Sequence, residues 1–134
     1  MRLFWMNRLA AAALALSVSA GVLAHGSEWF DTHPTPHGGQ VRMAGPYHFE
    51  LMPQKRGVLV YVTDHGDTPI PTAGWTGQII ALSAGKKVRI TLKPAGDNKL
   101  SAEGSIPAGA QAVLSASPKA GEEYSARFPA VPTR

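Results

Sequence analysis

From Gly39 onward no stretch of this chain sustains a helical period over three turns, while short runs with β-type composition alternate with turn chemistry. The runs fall at residues 40–43, 46–52, 57–63, 76–83, 87–93, 100–104, 110–117 and 124–128. Between the later ones stand Ala84-Gly85-Lys86, Pro94-Ala95-Gly96-Asp97-Asn98, Ile106-Pro107-Ala108-Gly109 and Pro118-Lys119-Ala120-Gly121, each rich in residues that favour turns. A spacing of about ten residues between strands predicts an all-β domain, a small antiparallel β-sandwich (Ig-like) or a barrel of about seven short strands. In residues 46–52, Tyr47, Phe49 and Leu51 share one face and His48, Glu50 and Met52 the other. Pairing this run with residues 57–63 across a four-residue loop sets Leu51 against Val58, Phe49 against Val60 and Tyr47 against Val62, a hairpin with matched apolar faces.

The first 24 residues have the form of a secretory signal. Arg2 and Arg8 give a basic start, residues 9–16 an apolar run, and Val22-Leu23-Ala24 a small-residue cleavage pattern, with Ala20 as a competing cut. Polar chain follows rather than a stop-transfer pattern, so the expectation is a soluble periplasmic protein with no membrane insertion after cleavage. Residues 25–38 then read as an irregular His/Pro-rich arm that Trp29 and Phe30 can pin to a surface, residues 39–128 as the β domain, and residues 129–134 as a frayed tail.

A cut after Ala24 leaves 110 residues, enough for one modest core. With no cysteine in the chain, disulfides, thiolate metal sites and thiol nucleophiles are excluded. Without the two signal arginines the basic excess is only two, and Lys55-Arg56 and Lys86-Lys87 read as solvated turn residues rather than a nucleic-acid surface. No Gly-x-Ser-x-Gly elbow, His-Glu-x-x-His pair or glycine-rich phosphate loop occurs, so no enzyme activity is expected.

All five histidines, His25, His33, His37, His48 and His65, lie in one stretch of 41 residues. Neutral imidazole is the commonest transition-metal ligand, and clustering of this kind points to an ion such as copper or zinc. His48 is the central candidate, because it leaves the apolar face of a strand and Glu50 follows on the same face. Met52 continues that face with a thioether suited to copper(I), and Met43 is a weaker candidate of the same kind. His37 precedes Gly38-Gly39, where the backbone can turn sharply beside a ligand. His65 sits in Asp64-His65-Gly66-Asp67, whose aspartates read first as turn caps. A cut after Ala24 would make His25 the first residue, able to chelate copper(II) through its amine and ring.

The segment from His37 to Gly74, with its His-Gly-Gly opening, His-x-Glu-Leu strand and Asp-His-Gly-x-x-Pro turn, resembles small periplasmic proteins of heavy-metal resistance clusters. It is also similar to the N-terminal extensions of periplasmic adaptor subunits of heavy-metal efflux pumps, and the likeness continues through residues 77–104. This resemblance implies handling of copper, zinc or a related cation, with ligand status for His37, His48, Glu50 and His65. The chain lacks an adaptor's helical hairpin and lipoyl-like parts, so an efflux role would be that of a separate accessory to pump components. The reading that results is a noncatalytic metal buffer, chaperone or efflux accessory. Its alternatives are an envelope interaction module with incidental histidines and a copper oxidoreductase built on an N-terminal His25 chelate.

Overall fold

The computed structural model describes residues 26–131; residues 1–24, read above as a secretory signal, and His25 lie outside the described residues. A 3-10 helix, Ser27–Thr32, precedes eight strands: β1 Gln40–Ala44, β2 Tyr47–Gln54, β3 Gly57–Asp64, β4 Thr76–Ser83, β5 Lys86–Pro94, β6 Lys99–Glu103, β7 Gln111–Ser117 and β8 Tyr124–Phe128. They form one antiparallel sheet in the order β1-β2-β3-β6-β5-β4-β7-β8. Strands β1 and β8 pack beside each other, so the sheet curls into a nearly closed barrel. Of the two expected all-β architectures the barrel is the one seen, with eight strands instead of about seven. Among the described residues no helix is long and apolar enough to cross a membrane.

The alternating pattern does what it predicts. Phe49 and Leu51 of β2, Val58, Val60 and Val62 of β3, and Ile79, Ile90, Leu92, Leu100, Leu114 and Phe128 point inward and are fully or almost fully buried. The β2–β3 hairpin keeps the expected faces but in a different register: Phe49 pairs with Val62, Leu51 with Val60 and Pro53 with Val58. Its loop is only Lys55-Arg56, because the strands extend to a Gln54–Gly57 pair. A shift of two residues preserves every face, which is why side-chain parity did not detect it. Within the expected frayed tail Val131 is instead buried in the core, and its backbone bonds to Ala110 and Gly109; residues 132–134 lie outside the described residues.

Tracing the registers round the sheet gives the barrel two distinct ends. The β1–β2 turn, the β3–β4 loop, and the β5–β6 and β7–β8 turns lie at one end; the β2–β3, β4–β5 and β6–β7 connections lie at the other.

Residues 26–39 dock on the barrel as a layer: Ser27–Thr32 is the 3-10 helix, and residues 33–39 carry no helix or strand. The Arg42 guanidinium, 4% exposed, donates to both carboxylate oxygens of Asp31 at 2.9 Å, and Ser27 Oγ accepts from the Met43 amide at 3.2 Å on the edge of β1. This layer, together with the β1–β3 surface beneath it, buries Val41, His48, Glu50 and Met52, side chains that lie outside the main core.

Candidate metal centre

Under the arm the histidines separate into two pairs. His37 stacks on Tyr61 at 3.5 Å between ring centroids, and its Nδ1 lies 2.7 Å from Glu50 Oε1. The second Glu50 oxygen accepts from the amides of His37 (3.0 Å) and Gly39 (2.9 Å). Every oxygen of this buried carboxylate is therefore engaged in holding the arm, and Glu50 acts as an anchor. The approach is close enough that a methyl group on Gly39 would meet the Met52 sulfur at 2.6 Å and Glu50 Cγ at 2.7 Å. The Gly38-Gly39 pair thus serves the docking of the arm.

His48 meets His65. Their Nε2 and Nδ1 atoms are 2.8 Å apart, and His65 Nε2 lies 3.0 Å from the Gly45 carbonyl oxygen. Since a carbonyl only accepts, His65 Nε2 carries the proton and donates it to Gly45. His65 Nδ1 is then the acceptor, and His48 Nε2 donates to it. His48 Nδ1 is left unprotonated on the side of Asp67, whose Oδ1 is 4.0 Å away. Burial first, and the neighbouring His65 second, hold the His48 imidazole below its ordinary pKa, while Asp67 and Asp64 pull the other way.

The loop that delivers His65 is built locally. One Asp64 oxygen accepts from the amides of Gly66 (2.8 Å) and Thr68 (2.9 Å), which also lowers the Asp64 carboxyl pKa. Asp64 is thus the turn cap its sequence context suggests. Asp67, with φ at 61°, turns toward His48 instead. Further along, Thr72 Oγ1 donates to the Lys99 carbonyl at 2.6 Å and fixes the loop to β6.

Trp29, Phe30, Met43, His48, His65 and Asp67 line a cavity of about 250 Å³. Phe30 meets His48 edge to face at 5.1 Å, so the arm supplies an aromatic wall. Met43 is there because it pairs with His48 across β1 and β2, and such partners have Cβ atoms about 5 Å apart. Met52 shares the His48 face but sits four residues along the strand, about 13 Å away at strand rise, and it packs by Gly39. Met43 is therefore the methionine at the site. Among the described residues no three His, Asp or Glu side chains gather as a metal cluster, and the centre consists of two imidazoles and a thioether. His33 stacks on Trp29 at 3.6 Å and directs Nδ1 to the Trp29 carbonyl, outside this group.

No family model matches the chain, and no curated protein or solved structure is detectably similar to it.

Proposed function

We propose that the protein is an exported, noncatalytic transition-metal carrier or buffer that holds its ion between His48 and His65, with Met43 as third donor. The observation that carries this reading is the orientation of the four ring nitrogens. The two that face each other are hydrogen-bonded at 2.8 Å, and opening the pair by about 0.5 Å gives the roughly 3.3 Å between nitrogens bound tetrahedrally to one ion with bonds of about 2.0 Å. The two that face away already point at acceptors, Gly45 O for His65 and Asp67 for His48. Metal-ligating histidines donate their outer N–H to a carbonyl or carboxylate; the Gly45 oxygen stands at hydrogen-bond distance and Asp67 Oδ1 at 4.0 Å. An ion entering the pair takes the place of the His48 Nε2 proton, and His48 regains that proton on Nδ1, facing Asp67, so no net proton is released.

Two imidazoles with a thioether favour copper(I), while zinc would have to recruit Asp67 as an oxygen ligand. The lowered His48 pKa keeps protons from competing near neutral pH. The resemblance of the His37 to Gly74 segment to metal-resistance proteins supports the same reading, with service to a periplasmic efflux system as its setting. Within it, Glu50 and His37 hold the arm in place and do not bind the ion.

Anaerobic titration of copper(I) against a chromogenic chelator tests the proposal. His48→Ala and His65→Ala should each weaken binding by about 100-fold or more, beyond the range for outer hydrogen-bond partners. Met43→Leu should weaken it less, and His37→Ala should leave it near wild type. Wild-type affinity in both His48→Ala and His65→Ala would refute the site.

A further inference from the structure

The end of the barrel remote from the histidines carries a second surface. The only adjacent basic pairs in residues 26–131 are Lys55-Arg56 and Lys86-Lys87. The Gln54–Gly57 and Ser83–Lys86 pairs that close their hairpins place both at this one end. All four side chains are exposed, and among the described residues none is in an ion pair. Glu103, opposite Gly57 on β6, is the acid near them. At the pocket end Asp64, Asp67, Asp97, Glu122 and Glu123 stand against Lys93, Lys99 and Lys119, the last paired with Glu122, so that end keeps a net negative charge of two and the barrel is polarised along its axis.

The β4–β5 tip adds an apolar component. Among the described residues the exposed large hydrophobic side chains are Trp29, beside the metal cavity, and Leu82 and Val88, which flank this turn at 48% and 36% exposure. Leu82 pairs with Lys87 and Val88 with Ala81, so by strand parity they leave opposite faces of the ribbon. The turn between them, Ala84-Gly85, has φ of 50° and 74°, the two-residue form whose twist suits a hairpin. A stiff tip that is apolar on both faces and ringed by Lys86, Lys87 and Arg89 cannot lay both apolar side chains on one flat protein surface. It can place both in a fluid phase beneath a layer of phosphates.

We infer that this end of the barrel docks on an anionic phospholipid bilayer, with Lys55, Arg56, Lys86 and Lys87 on headgroup phosphates and Leu82 and Val88 at the headgroup–acyl boundary. The docked barrel turns its metal pocket toward the aqueous phase. The inference does not depend on the pocket binding metal.

Cosedimentation of the purified protein with vesicles tests it. Binding should occur to phosphatidylcholine vesicles containing phosphatidylglycerol, be absent with phosphatidylcholine alone, and fall steeply as salt approaches about 0.5 M. Each cation near such a surface is worth about fivefold in binding, so Lys86→Ala with Lys87→Ala should lose about 25-fold. Leu82→Ser should lose about tenfold, and His48→Ala should bind as wild type. These tip residues are exposed, so the variants should melt like wild type, which a thermal melt confirms. Absence of binding to the anionic vesicles, including the case where an acidic protein binds this end instead, would overturn the inference. So would undiminished binding by the tip variants.

Discussion

Glu50 and His48 stand two residues apart on one face of β2 and have different work. Glu50 accepts three hydrogen bonds from the arm, so Glu50→Ala leaves two amides without a partner and should cost about 2–3 kcal/mol of stability, measured by urea denaturation. His48 makes stability depend on pH. Its folded pKa is below the ordinary 6.5, so between that lowered value and 6.5 the unfolded chain binds more protons than the folded one. Stability should be fully present above 6.5 and fall as pH drops below it. Melting temperatures measured from pH 7.5 to 5 should show this decline, and His48→Gln should flatten it. Composition and parity single out His48, His65 and Glu50 as candidate ligands, but they show neither the His48–His65 pairing nor the part of Glu50 in anchoring the arm. Shared parity puts Met52 on the His48 face without bringing it near, whereas the β1–β2 register brings Met43, and that register depends on recognising Gly45-Pro46 as the turn of a hairpin.

Among the elements, the arm and the β1–β2 turn assemble the pocket. The arm is held by Asp31 on Arg42 and by His37 and Gly39 on Glu50. Arg42→Ala should loosen it, costing about 1–3 kcal/mol for a charge-assisted pair and speeding proteolysis within residues 26–39, as a timed digestion would read. At the β1–β2 turn, Gly45 has φ of 56°, and a methyl group there would meet the Tyr124 ring at 2.5 Å. Gly45→Ala should therefore destabilise the fold by about 2 kcal/mol or more and shift the carbonyl that accepts from His65, lowering both the melting temperature and metal affinity. Nothing in the arm's Pro, Gly and Thr composition shows that it docks. Its anchors are single polar contacts to residues 11 to 13 positions away, which carry no local periodicity.

For the whole molecule, strand positions and buried faces were readable in the sequence because alternation reports which side of each strand meets a core. Alternation is the same in a sandwich and in a barrel, so closure by β1 beside β8 was not readable; it depends on the Tyr124–Gly45 contact and on which strands pair. The nearly closed sheet holds the candidate cation pocket at one end and a cationic surface at the other. The most direct test of the metal reading is long-range ¹⁵N NMR of the imidazoles during titration with copper(I). The account predicts that His48 Nε2 and His65 Nδ1 shift on binding while His65 Nε2 stays protonated and His48 gains its proton on Nδ1. Movement of the His37 nitrogens with His48 and His65 unchanged, or no shift in any histidine, would contradict it.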